Sequence, residues 1–193
     1  MSFISLNTAI SITGLSRRTL WRRIADGSLR QEGGGREMPP GAATRVALDD
    51  VLALSPLKLA AEDRALIEDA DAGGPEAQCD LALLLLGQDQ AAEAVAWLRK
   101  AAQNLYPEAM HWLGRCHVAG TGVAADEAVG IDWIAQAARR GHATAAHMLR
   151  FLEDPARPAL DATALEAVLD GIEREVVLQT LTEQAQGAGR PLP

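Results

Sequence analysis

Arginines form the densest group of side chains with binding chemistry in this sequence. Four of them lie within seven residues, RRTLWRR at positions 17–23. Residues four apart share one face of a helix, which places Arg18 and Arg22 together with Arg17 beside them. A guanidinium is a planar donor that grips phosphates and reads guanine edges in a major groove. This face is therefore expected to bind double-stranded DNA, and the alternative is a solvated arginine face that binds protein.

Turn and capping residues predict the elements that hold these arginines. Gly14-Leu15-Ser16 forms a turn, and Ser16 is suited to cap the N-terminus of the arginine-bearing helix. A short helix over residues 6–12 precedes the turn, and Asp26-Gly27 ends the second helix. Residues 28–31 and 44–48 are predicted strands on either side of a glycine- and proline-rich loop. Residues 49–54 then form a closing helix that Pro56 limits.

This order of elements resembles the winged helix-turn-helix domain of excisionases and MerR-class regulators. The resemblance lies in ITGLSRRTLWRRI at positions 12–24 and GSL at positions 27–29. The sequence departs from that pattern in its proline-rich wing tip and in Arg23, where many relatives carry tryptophan. The long dimerising helix of the MerR class is not evident either. In such a domain the residues expected to contact DNA are Ser16, Arg17, Arg18 and Arg22 from the helix, and Arg23 and Arg36 on the DNA backbone.

A repeat organises the middle of the chain. Residues 105–141 hold two apolar helical patterns joined by a loop that contains Gly120 and Gly122. Trp97-Leu98 returns as Trp133-Ile134, at an offset of 36 residues. A helical hairpin of this kind cannot bury its apolar face alone. A repeat period of about 36 residues therefore predicts a stacked helical solenoid.

The repeat resembles the Sel-one-like repeat, a relative of the tetratricopeptide repeat. The resemblance implies a protein-interaction scaffold, often in bacterial signalling. His117 replaces the usual tyrosine, and Val129-Gly130 replaces the usual Lys-Ala. The residues that carry the resemblance are Ala109, Leu113-Gly114, Gly120-Thr121-Gly122-Val123, Asp126, Trp133, Ala137-Ala138 and Gly141.

The histidines and cysteines raise the question of a metal site. Cys79, His111 and His147 each follow a repeat alanine by two residues, so they occupy equivalent repeat positions. Stacked helices lie about 8–10 Å apart, whereas zinc ligands lie about 2 Å from the ion. We therefore predict no metal and no cofactor. The same equivalence predicts that these three residues line one groove of the solenoid, open to a protein partner.

Charge and composition suggest two modules with different partners. The formal charge is −8, yet residues 1–60 carry eight basic against five acidic residues, or +3. The rest of the chain therefore carries −11. No apolar run is long enough to span a membrane and no secretory signal is visible, so a cytoplasmic protein with reduced thiols is expected. We find no catalytic constellation, because Ser16 is better explained as a helix cap and Gly33-Gly34-Gly35 lacks the lysine of a P-loop.

Together these patterns predict a mainly α-helical protein. A winged helix-turn-helix head spans residues 1–56, and a repeat solenoid spans 57–154 with a degenerate half-repeat at 57–72. Residues 155–193 form a C-terminal helix and tail. The apolar face of this helix caps the solenoid or forms a homodimer through residues 161–186. The expected function is a non-enzymatic DNA-binding regulator or adaptor whose repeats recruit a protein, and the alternative is a protein-interaction scaffold that binds no DNA.

Overall fold

The computed structural model describes residues 1–33 and 44–188, and it is mainly α-helical, as predicted. The chain divides into two compact units, of which the first ends at Asp89 and the second begins at Gln90. The boundaries expected after residues 56 and 154 follow composition and repeat pattern rather than packing, and they stay predictions.

The first unit contains a two-stranded antiparallel sheet, one strand of which the sequence did not reveal. Strand β1 (Phe3–Ser5) pairs with β2 (Arg45–Ala47), with Ile4 opposite Val46. The strand predicted at residues 28–31 is reduced to a bridge between Gln31 and Val46. A three-residue strand is too short to show the alternation by which strands are recognised. The predicted loop around Arg36 lies outside the described residues.

Helices make up the rest of the first unit, and local signals explain where they begin and end. Gly14 ends the first of them in the left-handed conformation, with φ of 66°. The Ser16 side chain then accepts a hydrogen bond from the Thr19 amide at 3.1 Å, so the predicted cap is confirmed. The helices are α1 (Leu6–Thr13), α2 (Arg17–Ala25), α3 (Leu48–Leu54), α4 (Asp63–Ala72) and α5 (Pro75–Leu86).

A buried carboxylate ties α4 to the sheet and to α1. The side chain of Asp71 is 3% exposed. It accepts hydrogen bonds from the Ser5 amide at 3.0 Å and from the Thr8 hydroxyl at 2.6 Å, and Arg45 lies 3.5 Å away. Ser5 is also the N-cap of α1, where the helix dipole favours a negative charge. Residues at the start of the chain satisfy the Asp71 carboxylate, and α4 therefore packs with them in one unit.

The second unit is a succession of helices. Each helix from α6 to α9 packs on the next, and the last helix returns to pack on α7 and α9. Among the described helices, none combines the length and apolar character that a bilayer span requires. The helices are α6 (Ala91–Gln103), α7 (Pro107–Ala119), α8 (Glu127–Arg139), α9 (Ala143–Leu152) and α10 (Ala162–Ala188).

Two glycines bring α7 and α8 into close contact. A Cβ atom on Gly130 would lie 2.6 Å from Val118 Cγ2 and 2.8 Å from the Gly114 carbonyl oxygen. A Cβ atom on Gly114 would in turn lie 2.7 Å from Ile134 Cγ1. These distances are shorter than van der Waals contact, so the helices can approach this closely only where both residues lack a side chain.

Replacing Gly130 with alanine should therefore destabilise the protein. The overpacking cost, about 1–3 kcal/mol, should exceed the roughly 1 kcal/mol that alanine contributes to helix formation. Gly171→Ala is the matched control, because nothing lies within 4 Å of the position that its new methyl group would take and the same propensity gain is unopposed. Urea unfolding should show a loss of stability for Gly130→Ala and a gain for Gly171→Ala. Equal effects of both substitutions would contradict the close-contact explanation.

Candidate interaction sites

The exposed face of α2 gathers most of the residues predicted to bind DNA. Ser16, Arg17, Arg18 and Arg22 are exposed, and Arg17 donates a hydrogen bond to Asn7 Oδ1 at 2.6 Å. Arg18, Thr19 and Arg22 line a surface cavity of about 420 Å³. Arg23 is only half-exposed, and its Nε is buried without a hydrogen-bond partner. Arg36 lies outside the described residues, so its predicted contact with the DNA backbone stays a prediction.

The remaining described arginines of the first unit are neutralised by carboxylates. No ion pair to Arg18 or Arg22 is formed within residues 1–33 and 44–188. Among the described arginines of this unit, those without an ion pair lie on α2, which favours an anionic partner there. The pairs are Arg30 with Asp50 at 2.6 Å, Arg45 with Glu32 and Asp71 at 3.5 Å, and Arg64 with Asp49 at 2.7 Å and Glu68 at 3.5 Å.

The predicted partner groove of Cys79, His111 and His147 is wrong for two of its three residues. Cys79 is 0% exposed and His111 is 1% exposed, whereas His147 is exposed. Equivalent repeat positions share a direction on their helices, but exposure depends on what packs against each helix. A buried side chain cannot line a groove that is open to solvent. Only His147 remains accessible to a partner.

His111 belongs instead to a buried ring cluster in the second unit. Its ring stacks on that of His142, with centroids 4.5 Å apart and planes 19° apart. His142 caps α9, because its Nδ1 accepts a hydrogen bond from the Ala145 amide at 3.1 Å. Its Nε2 therefore carries the hydrogen and donates to Glu108 at 2.8 Å. Trp112 donates to the other Glu108 oxygen at 2.7 Å.

Burial sets the protonation of this cluster. Removal from water, the largest cause, acts together with the nearby His142 and Arg115 and against Glu108 to lower the pKa of His111 to about 3. The hydrogen bond from His142 lowers the pKa of Glu108. The described residues contain no group of three side chains able to hold a metal ion. Burial also raises the pKa of Cys116 to about 11, so its thiol is protonated at neutral pH and is a poor nucleophile.

A second polar cluster joins α7 to α10. Arg115 is 5% exposed and donates hydrogen bonds to Glu166, Asp170 and Glu173. These carboxylates lie at helical spacing on one face of α10, so all three reach the same guanidinium. Arg115 Nε and Glu166 Oε2 are nevertheless buried without a hydrogen-bond partner. The cluster therefore contains more negative charge than one arginine neutralises.

The acidic residues of this cluster form a pattern in the sequence, but it is less evident than the apolar stripe of α10 beside it. Leu165, Leu169 and Val176 of α10 are buried, as the predicted apolar face requires. The acidic residues at 166, 170 and 173 run beside that stripe with the same period. Such a pattern fits a basic residue on the opposing helix as well as a solvated acidic face, and it does not identify Arg115.

A match to a family model supports the repeat assignment within residues 75–142. Residues 75–104 and 107–142 match the family model of the Sel1 repeat, and together they cover about a third of the chain. No curated protein matches the chain. A crystal structure of a Sel1 repeat protein from Oxalobacter formigenes is similar over 75% of this chain and 88% of that chain, with 22% sequence identity and a TM-score of 0.42. The winged helix-turn-helix assignment and the repeat extensions to residues 57 and 154 stay predictions.

The burial of His111 predicts a pH-dependent stability. Between the ordinary value of 6.5 and the folded pKa of about 3, the unfolded chain binds a proton that the folded chain does not. Stability should therefore fall as pH drops below about 6.5, and His111 should account for about 2–3 kcal/mol of that loss by pH 4.5. His111→Phe retains a stacked ring without this titration, so urea unfolding should show a flatter dependence on pH. His147→Phe is the matched control because that ring stays in water; an equal flattening there would contradict the prediction.

Proposed function

We propose that this chain is a non-catalytic protein-interaction scaffold whose repeats bind a protein partner. The family match to Sel1 repeats supports the scaffold function. We further propose that the partner contributes an acidic amphipathic helix to the surface of α7 and α9. The observation that carries this proposal is the way α10 of the same chain occupies that surface.

The contacts of α10 indicate which kind of helix can pack on the surface of α7 and α9. One stripe of α10 buries leucine and valine side chains, and the neighbouring stripe presents carboxylates to Arg115. An amphipathic helix laid in a groove is a recurrent mode of protein recognition. Within this unit α10 acts as an internal occupant, so a partner helix of the same chemistry must displace it.

The charge imbalance of the Arg115 cluster favours such an exchange. A buried arginine requires a charged partner, because leaving it unpaired costs several kcal/mol. Any helix that replaces α10 must therefore present at least one carboxylate at this point. Three carboxylates on one guanidinium repel one another, which makes α10 a weaker occupant than a helix with fewer acidic residues.

A synthetic peptide can test this surface on the full-length chain. Neutralising the internal occupant with Glu166→Gln, Asp170→Asn and Glu173→Gln should loosen α10 while leaving Arg115 intact. A labelled peptide of residues 161–182 with the native carboxylates should then bind at least about 10-fold more tightly than it binds the native chain, whose tethered α10 competes at high effective concentration. Fluorescence anisotropy measures the binding, and circular dichroism checks that the variant is folded.

The control neutralises carboxylates that do not contact Arg115. Glu153→Gln, Asp154→Asn and Glu183→Gln remove the same charge and should leave peptide binding at the native level. Adding Arg115→Gln to the loosened variant should abolish binding. The proposed surface is rejected if the peptide binds neither protein, or if binding survives the loss of Arg115.

We propose DNA binding through α2 as a second candidate function. The observation that favours it is the concentration of unpaired positive charge at Arg18 and Arg22, beside exposed Arg17 and Trp21. A helix preceded by a tight turn and capped by Ser16 presents these side chains on one side, as binding in a major groove requires. Neutralisation of the other arginines directs a phosphate backbone to this helix.

Replacing Arg18 and Arg22 with alanine should weaken duplex binding at least about 10-fold and lower the salt dependence of log K by about two, because each lost phosphate contact releases about one counterion fewer. Arg99→Ala with Arg139→Ala is the matched control, since it removes two exposed charges from the second unit. Gel shifts at two salt concentrations measure both quantities. If the native protein shows no salt-sensitive binding to any duplex, the DNA function is rejected and the scaffold function is unaffected.

A further inference from the structure

A cavity between α9 and α10 lies where α10 stops covering the helices on which it packs. Its volume is about 370 Å³, and its apolar wall is formed by Phe151 of α9 and by Ile172 and Val176 of α10. Val176 is 9% exposed, whereas every residue from 177 to 185 is exposed. The buried stripe of α10 therefore ends at Val176, and the cavity lies at that end.

The spacing of the buried stripe identifies the position of α10 that faces this cavity. Intervals of four, three and four residues keep the members of the stripe on one side of the helix, and these members are Leu165, Leu169, Ile172 and Val176. The next interval of three leads to Gln179, which lies almost two turns after Ile172 and also lines the cavity. An apolar stripe would continue at this position, but α10 has a polar side chain there.

The side chain of Gln179 is poorly suited to cover the apolar wall. It is exposed, and its Nε2 donates a hydrogen bond to Glu183 Oε1 at 3.2 Å, one turn further along α10. A side-chain amide that packs on apolar carbon gives up hydrogen bonds to water, whereas a leucine of similar size gains free energy from the same contact. A helix with an apolar residue at this position would therefore bind the surface more tightly than α10 does.

We propose that the partner helix carries a large apolar residue at the position of Gln179, so that its apolar stripe extends one turn beyond that of α10. This inference rests on the proposed function, because the partner takes the place of α10. The walls that α10 contributes leave with it and are supplied by the partner, whereas Phe151 of α9 stays and receives the added side chain.

The charges that α9 contributes to this cavity agree with an acidic partner. His147 and Arg150 line the cavity beside Phe151, and Arg150 forms no ion pair within the part of the chain that the structure describes. Glu175, the acidic residue that lines the cavity, belongs to α10 and leaves with it. The rim that remains is basic, which is complementary to a helix that also carries carboxylates.

A swap of two neighbouring residues in the peptide of residues 161–182 tests this position. Leu178 is 58% exposed and faces away from the buried stripe, so Leu178→Gln with Gln179→Leu moves a leucine onto the stripe without changing composition or charge. The swapped peptide should bind the full-length variant with the neutralised α10 at least about 5-fold more tightly than the native peptide does. Fluorescence anisotropy measures both affinities, and circular dichroism compares the helicity of the two peptides.

Removal of the wall on α9 tests whether the gain comes from this cavity. Phe151→Ala in the same full-length variant should abolish the difference between the two peptides, and thermal unfolding verifies that the protein remains folded. A gain that survives Phe151→Ala overturns the inference, because another contact would then be responsible. A peptide with Gln179→Glu that binds more tightly than the swapped peptide also overturns it, because the cavity would then select a carboxylate beside Arg150.

The native peptide separates this inference from the proposed function. If the native peptide binds and the swapped peptide binds no more tightly, the extended stripe is rejected while the surface of α7 and α9 stands as the partner site. If neither peptide binds, the proposed surface itself is rejected and the extended stripe with it.

Discussion

The close approach of α7 and α8 at Gly114 and Gly130 is the constraint on which the second unit depends. With no side chain at either crossing position, the two backbones come nearer than a methyl group would permit. The hairpin so formed fixes the direction of the adjacent face of α7. That side carries His111 and Arg115, four residues apart and therefore on one face. The positions of α9 and α10 follow from how these two polar residues are satisfied.

Each of these two buried polar residues contacts a different helix. His111 is neutral and stacks on His142, whose ring caps α9 and donates to Glu108. Arg115 is charged and takes its carboxylates from α10. Burial of a neutral imidazole costs less than burial of an unpaired guanidinium, so His111 is accommodated with its Nδ1 lacking a hydrogen-bond partner, whereas the Arg115 guanidinium must be paired. The pairing of Arg115 with carboxylates of α10 is the reason we propose an acidic helix as the partner of the surface of α7 and α9.

The features that the sequence predicted well are local. The Ser16 cap, the repeat helices and the loop at Gly120 and Gly122 each depend on residues a few positions apart. The features it missed join distant residues: β1 with β2, Asp71 with Ser5, and Arg115 with α10. In each case the residue type indicates that a hydrogen-bond or ion-pair partner is required, as for a buried carboxylate, but it does not indicate which residue is that partner. The prediction of a groove was wrong for a related reason. A repeat position determines the direction in which a side chain points, whereas the elements packed against that side chain determine whether it is buried.

The charge of the first unit illustrates the same difference between composition and placement. Counting residues 1–60 gives a formal +3, which is modest for binding a polyanion. Two arginines of that range, Arg30 and Arg45, are held by carboxylates, and one of those carboxylates is Asp71, outside the counted range. What an approaching phosphate encounters is the unpaired charge on α2 rather than the sum over the segment. Electrostatic support for a nucleic-acid partner therefore depends on Arg18 and Arg22, and the net charge of the head is a poor measure of it.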